Sequence, residues 1–149
     1  MRDWLFLTSL ARFGDVGLLL LRLVTGAFLI WQSHDNILSA ARMDEFVAFL
    51  TQFNFPAPAL MAPLCVWAQS LCGLAFILGL LTRWAGLITA FVFIVAVWMV
   101  HWPQDFPGWW PALILVFLGL LFATQGAGRY ALDQWYTGRA NDRDSAETA

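Results

Sequence analysis

Four long apolar runs, separated by polar connections, dominate the pattern of this chain. They cover about residues 16–32, 60–81, 84–102 and 109–123. Each run approaches the ~20 residues that an α-helix needs to cross ~30 Å of hydrocarbon. Only a helix satisfies its own backbone within such a run. The pattern therefore predicts an all-α membrane protein, a bundle of four transmembrane helices.

The segment between the first two runs has a different periodicity. Apolar residues from Met43 to Phe53 recur at three- and four-residue spacing, which gives a helix over about 41–53 one apolar face. Ser39 or a neighbour is positioned to cap its start. We expect this short amphipathic helix to lie flat on the membrane or over the mouth of the bundle.

Small residues recur four positions apart inside the apolar runs. Such pairs let two membrane helices approach closely, because no bulky side chain separates their backbones. The pairs are Ala68–Cys72, Ala75–Gly79, Gly86–Ala90 and Gly119–Ala123. They predict a compact bundle.

The arginines predict the orientation of the bundle, because cytoplasmic loops of membrane proteins are enriched in basic residues. With a cytoplasmic N-terminus, Arg42 alone lies outside and Arg22 lies within the membrane. The other six are then cytoplasmic: Arg2, Arg12, Arg83, Arg129, Arg139 and Arg143. Both termini are thus predicted inside, with a single transmembrane domain over residues 1–135 and a polar cytoplasmic tail over 136–149.

Composition agrees with a membrane protein and excludes nucleic-acid binding. Hydrophobic residues make up 60% of the chain and charged residues only 12%, about half the usual ~25%. The chain has no lysine, and its arginines are scattered rather than clustered as a nucleic-acid interface requires. Glycine-rich phosphate loops, GxSxG and CxxCH motifs are absent from the sequence.

Arg22 is the main anomaly, since a charge inside a span costs at least ~2.5 kcal/mol. Two readings stay open. Arg22 contacts a ligand within the bundle, for example a quinone carbonyl, or it reaches the cytoplasmic end and pairs with Asp15 or Asp133 to fix the helices.

Cys65, Gln69 and Cys72 fall on one stripe of the second span and are expected to face the bundle interior with Arg22. They could line a polar cavity that holds a ligand. Alternatively, Gln69 makes an interhelical hydrogen bond and the thiols pack as small residues. The two cysteines are too far apart along one helix to form a disulfide.

Three polar residues, His34, Asn36 and His101, fall at the predicted outer ends of spans. We expect an extracytoplasmic polar cluster there. With a carboxylate or thiol nearby, two imidazoles could hold zinc, copper or iron. They lack the spacing of known metal motifs, so no metal site is predicted.

The segment after the fourth run carries Gly126-Ala127-Gly128, typical of a helix stop. Arg129 and Asp133 follow at a spacing suited to an ion pair on the cytoplasmic side. With Thr82 and Arg83 in the turn between the second and third runs, they are expected to have a structural role.

Several short patterns occur in a recognisable order. They are Arg22-x3-Gly26-x-Phe28, Leu78-Gly79-Leu80-Leu81-Thr82-Arg83, His101, and Gly126-x-Gly128-x-Tyr130-x-Leu132-Asp133. On these, the chain resembles the DoxX family of small four-helix bacterial membrane proteins, over about Leu20–Trp135. That family is named for a subunit associated with a terminal oxidase, and a related branch resembles the membrane part of a thiosulfate:quinone oxidoreductase.

The resemblance implies a multi-pass protein of the bacterial inner membrane with a redox-linked role. Two positions depart from it. Many family members carry Lys at the position of Asn36 and Glu at the position of Gln69. Here both are neutral amides, so any charge pairing or proton movement by those groups is lost, although a hydrogen bond remains available.

Three functions are compatible with these features. The first is an accessory, non-catalytic subunit of a respiratory, sulfur or stress-response redox system, with redox proteins as partners. The second is a quinone-binding oxidoreductase subunit, with quinone near Arg22 or near His34 and His101. The third is a small-solute carrier or scaffold with the short helix as a lid. The lipid bilayer is the expected partner in each case, and a homo-oligomer is compatible with all three.

Overall fold

A computed structural model describes residues 12–133 of the chain as helices joined by short connections. The predicted tail over 136–149 lies outside the described residues. The helices are α1 (Gly14–Leu38), α2 (Ala40–Gln52), α3 (Pro58–Leu78), α4 (Thr82–Ala96) and α5 (Phe106–Gln125). A π-helical turn, Val97–His101, extends α4. Within the described part there is no strand.

Four of these helices are long and apolar enough to cross a membrane: α1, α3, α4 with its π-helical turn, and α5. The predicted all-α architecture with four spans is therefore confirmed. Several helix ends differ from the predicted limits. Helix α1 continues to Leu38. Its 25 residues are ~37 Å long, so its polar last turns extend beyond the ~30 Å of hydrocarbon that the apolar run marked. Helix α3 stops at Leu78, because Gly79 has a left-handed backbone (φ 67°).

The short helix between the first two spans is present as α2. Ser39 caps it, since its Oγ accepts a hydrogen bond from the Arg42 amide at 3.4 Å. Helix α2 packs against α3 and α1, with Leu50 buried. It therefore covers the end of the bundle at which α1 ends and α3 begins.

The two ends of the bundle differ in what they carry. We call one the N/C end: it holds the start of α1, the α3–α4 turn and the segment that follows α5. The opposite end, the loop end, holds α2 and the α4–α5 connection.

The spans pack as two close pairs in which backbones touch. Helices α1 and α3 meet at Gly26 and Gly73, where a Cβ on Gly26 would lie 2.6 Å from the Gly73 carbonyl oxygen. Helices α4 and α5 meet in the same way at Gly86 and Gly119, with a corresponding distance of 2.5 Å. The predicted small-residue pairs of α4 and α5 thus face each other, since a Cβ on Gly86 would also approach Ala123.

A common core joins the two pairs. The Phe76 ring of α3 lies against the Phe122 ring of α5, with centroids 4.7 Å apart. The buried members of this core come from all four spans: Leu29, Cys72, Phe76, Ala85, Phe93, Ala112, Leu115, Val116 and Phe122. Its position leaves the polar groups of the chain gathered mainly at the two ends of the bundle.

Candidate functional site

Arg22 lies two turns into α1 from the N/C end, and its side chain is almost fully buried, with 1% exposed. Each nitrogen of its guanidinium donates to a backbone carbonyl. Nε binds Phe76 at 2.9 Å, Nη1 binds Ala127, and Nη2 binds Tyr130 at 3.2 Å. Phe76 belongs to the last turn of α3, where the negative end of the helix dipole favours a cation. Arg22 therefore ties α1 to the end of α3 and to the segment after α5.

Asp133 lies on the same network and fastens the turn between α3 and α4. Its carboxylate accepts hydrogen bonds from the amides of Leu81 at 2.9 Å and Thr82 at 3.2 Å. Its own amide donates to the Gly79 carbonyl at 3.0 Å. The carboxylate also interacts electrostatically with Arg22. Asp133 thus caps the start of α4 and balances the buried charge.

We call Arg22, Asp133 and the backbone groups that they bind the Arg22 cluster. Only a residue without a side chain fits the turn at Gly79, since a Cβ there would lie 2.7 Å from Nη2 of Arg22. The left-handed backbone at Gly79 also favours glycine. The cluster and the turn therefore depend on each other.

Arg83 holds the end of α5. Its Nη1 donates to the carbonyls of Ala123 at 3.0 Å and Thr124 at 2.9 Å, which the helix itself leaves unpaired. The predicted helix stop at Gly126 is confirmed, since α5 ends at Gln125 and Gly126 follows with φ 77°. The guanidinium of Arg83 lies beside Gly126.

Arg129 contacts Asp15. The four-residue spacing had instead suggested an ion pair between Arg129 and Asp133. Its Nε lies 4.0 Å from Asp15 Oδ2, and its amide donates to Asp15 Oδ1 at 3.3 Å. The Arg129 side chain is 84% exposed. The positive φ of Gly128 (72°) turns the backbone at this point. The segment after α5 therefore folds back onto the start of α1.

A cleft of about 470 Å³ opens at the N/C end beside these groups. It is lined by Asp15, Leu81, Arg83, Trp84, Gln125, Gly126, Ala127, Gly128, Arg129 and Asp133. The Arg22 cluster forms its inner wall through Ala127 and Asp133.

The interior stripe of α3 lies where its periodicity predicted. Gln69 is 9% exposed and Cys72 is 5% exposed, whereas Cys65 is partly exposed. Gln69 Nε2 donates to Cys65 Sγ at 3.1 Å. Both residues belong to α3, so the observed hydrogen bond of Gln69 is within its own helix. The alternative of a bond from Gln69 to another helix is not observed among the described residues.

A hydrogen bond between the side chains of α1 and α3 joins two serines instead. The hydroxyls of Ser33 in α1 and Ser70 in α3 lie 2.6 Å apart. Ser33 also lies 2.7 Å from the Leu29 carbonyl. Sequence reasoning overlooked this pair, although a serine in each of two apolar runs was the signal that could have revealed it.

The polar residues of the loop end have separate partners. His34 Nε2 lies 3.0 Å from Asp35 Oδ1, and His101 Nδ1 lies 3.2 Å from Gln104 Oε1. Asn36 lines a shallow pocket between α1 and α2. Among residues 12–133, no three His, Cys, Asp or Glu side chains are grouped as a metal ion would require.

The Arg22 cluster brings together residues from three segments that lie far apart in the chain. It joins Arg22 of α1, the turn from Gly79 to Thr82 and the segment from Ala127 to Asp133. The sequence profile of the DoxX family matches residues 17–102, which is more than half of the chain.

The chain belongs to the DoxX family.

The match includes Arg22 and the α3–α4 turn of this DoxX protein and ends before Ala127. The structure brings the segment beyond the match into the same cluster. No curated protein and no solved structure matches the chain significantly.

Proposed function

We propose that this DoxX protein is an accessory, non-catalytic subunit of a redox-linked system in the bacterial inner membrane. The observation that supports this most is the state of Arg22. All three guanidinium nitrogens donate to carbonyls of the chain itself, and the side chain is 1% exposed. A residue that recognises a quinone carbonyl needs a donor directed at a cavity. Arg22 instead stabilises the packing of α1 against the end of α3 and the segment after α5.

The redox link comes from the family. The DoxX family is named for a subunit associated with a terminal oxidase, which makes a membrane-bound redox protein the natural partner class. In such a subunit the buried polar groups stabilise the fold, and its role is to bind a partner rather than to catalyse a reaction. The lipid-exposed and end surfaces of the bundle would then carry the contact with the partner.

Affinity purification of the full chain from its native membrane in a mild detergent tests this proposal. We expect a redox protein to co-purify at a fixed stoichiometry and to be absent from a purification of the untagged chain. Stoichiometric quinone in an organic extract of the purified protein would instead support the quinone-binding function. A partner-free protein that carries solute flux in vesicles would support the carrier.

We also propose that both termini are cytoplasmic. Within residues 12–133, the N/C end carries four arginines and two carboxylates, and the loop end carries one arginine and four carboxylates. At the N/C end these are Arg12, Arg22, Arg83, Arg129, Asp15 and Asp133; at the loop end, Arg42, Asp35, Asp44, Glu45 and Asp105. This asymmetry is the one that orients membrane proteins with the basic end inside.

Reporter fusions give a direct measurement of the orientation. Green fluorescent protein fused after residue 149 is expected to fluoresce, and alkaline phosphatase fused there is expected to be inactive, because it matures only outside the cytoplasm. The same reporters inserted between α2 and α3, at residues 54–57, should give the opposite result. An active phosphatase at the C-terminus would show that the assignment is inverted.

A further inference from the structure

The cleft at the N/C end has donors that the fold does not use. Arg83 is held in place through Nη1 alone, and within residues 12–133 its Nε and Nη2 donate to no protein group. The Arg129 side chain is largely exposed, and its one ion-pair contact among residues 12–133 is to Asp15, at 4.0 Å. Two guanidinium groups therefore line one cleft with hydrogen-bonding capacity to spare.

The backbone of the cleft adds further donors. Ala127 and Gly128 line it, and in the described part of the chain their amides have no acceptor. Successive amides around a residue of positive φ can form a concave site for an anion. Gly128 has φ 72°.

Charge in and behind the cleft is positive on balance. The carboxylates of Asp15 and Asp133 line it, but both already accept hydrogen bonds from backbone amides. Arg22 lies behind the cleft, where its Nη1 binds the carbonyl of Ala127 in the wall. With Arg22 included, the described residues place three guanidinium groups in or behind the cleft and two carboxylates in its lining. The donor set, with two guanidinium planes and paired amides, matches the oxygens of a phosphate.

The position of the cleft indicates the source of that phosphate. Trp84 lines it and is 66% exposed, and indole rings of membrane proteins favour the level of the lipid headgroups. Helices α4, with its π-helical turn, and α5, which border the cleft, are both long and apolar enough to span the membrane. A phosphate held there lies where a glycerophospholipid carries its own.

We propose that this cleft binds the phosphate headgroup of an anionic phospholipid, with Arg83 and Arg129 as its cationic contacts. A volume of about 470 Å³ is within the usual range of ligand sites, ~300–1,000 Å³. The acyl chains of the lipid would lie along α4 and α5 beside Trp84. This inference does not depend on the proposed accessory role or on the orientation.

Native mass spectrometry of the full chain in detergent tests the site. The probes are phosphatidylglycerol and phosphatidylcholine with identical acyl chains. We expect one phosphatidylglycerol to bind at least about tenfold more tightly than phosphatidylcholine, since a tenfold ratio corresponds to ~1.4 kcal/mol. Arg129→Gln should lower the affinity for phosphatidylglycerol by about tenfold. Because its side chain is 84% exposed, this variant keeps the fold, which its thermal unfolding midpoint verifies.

Two matched variants distinguish binding in the cleft from a general attraction of the anionic lipid to arginines elsewhere on the protein. Arg12→Gln removes a charge at the same end outside the cleft, and Arg42→Gln removes the one that pairs with Glu45 at the loop end. Both should retain wild-type affinity within about twofold. Arg83→Gln should resemble Arg129→Gln, although Arg83 also caps α5, so Arg129→Gln is the decisive change.

Three results would overturn the proposal. The first is equal retention of the two lipids by the wild-type chain. The second is an equal loss of phosphatidylglycerol in Arg12→Gln and Arg129→Gln. The third is competition by glycerol 3-phosphate at the same concentration as phosphatidylglycerol, which would assign the cleft to a soluble phosphate compound.

Discussion

Arg22→Ala is expected to remove a large part of the stability of this protein. The substitution leaves the carbonyls of Phe76, Ala127 and Tyr130 without the donor that Arg22 supplies, and it removes the electrostatic interaction of Arg22 with Asp133. Leaving a buried acceptor without its hydrogen bond costs ~1–3 kcal/mol, and the three carbonyls lose theirs together. Whole domains are stable by only ~5–15 kcal/mol. The yield of monodisperse protein and its thermal unfolding midpoint in detergent measure the effect.

The matched control is Arg129→Ala, which removes the same side chain from an exposed position at the same end. It should change the free energy of unfolding by no more than ~0.5 kcal/mol. A double-mutant cycle of Arg22→Gln with Asp133→Asn should show a coupling of ~0.5–3 kcal/mol. If Arg22→Ala unfolded like the wild type, the side chain would have no part in fastening the bundle, and a ligand role for it would return.

Gly86→Ala is expected to separate α4 from α5, although the change adds a single methyl group. The new Cβ would lie 2.5 Å from the Gly119 carbonyl oxygen and 2.7 Å from the Ala123 nitrogen. Both are backbone atoms, so the clash is relieved only by moving one helix away from the other. Overpacking of this kind costs ~1–3 kcal/mol, and we expect a lower unfolding midpoint in detergent.

Gly17→Ala provides the control with identical chemistry. Gly17 also lies within a helix long and apolar enough to span the membrane, but among residues 12–133 a Cβ there meets nothing within 4 Å. Alanine in place of glycine inside a helix usually stabilises it by ~0.5–1 kcal/mol. The two substitutions should therefore shift the unfolding midpoint in opposite directions, and equal midpoints would refute the close backbone approach of α4 and α5.

The sequence predicted those parts of the fold that depend on local pattern. The spans and α2 follow from apolar length and periodicity, and the Gly86–Ala90 and Gly119–Ala123 pairs follow from small-residue spacing. The contact between Gly26 and Gly73 was not predicted. The pattern used was two small residues four positions apart, and neither glycine has a small residue four positions away.

The bonds of the candidate site were less accessible from the sequence. Each acceptor of Arg22 in the part of the chain that the structure describes is a backbone carbonyl. Since every residue has a carbonyl, no residue type marks these partners. Asp133 was among the acids considered for Arg22, but its bonds to the Leu81 and Thr82 amides depend on a turn whose geometry is set by the tertiary fold. Arg129 was assigned to its near neighbour in sequence, whereas the chain brings it to Asp15.

The buried arginine also has a consequence for synthesis of the chain. Two of its three acceptors, Ala127 and Tyr130, lie 105 and 108 residues downstream, so α1 enters the membrane long before they exist. Until the ribosome has passed Tyr130, the nascent bundle contains a cation whose bonds are incomplete, a state that costs energy in hydrocarbon. A truncated product would keep that defect permanently and would remain a substrate for membrane proteases. The full-length chain lacks this defect, because Ala127 and Tyr130 supply the missing acceptors.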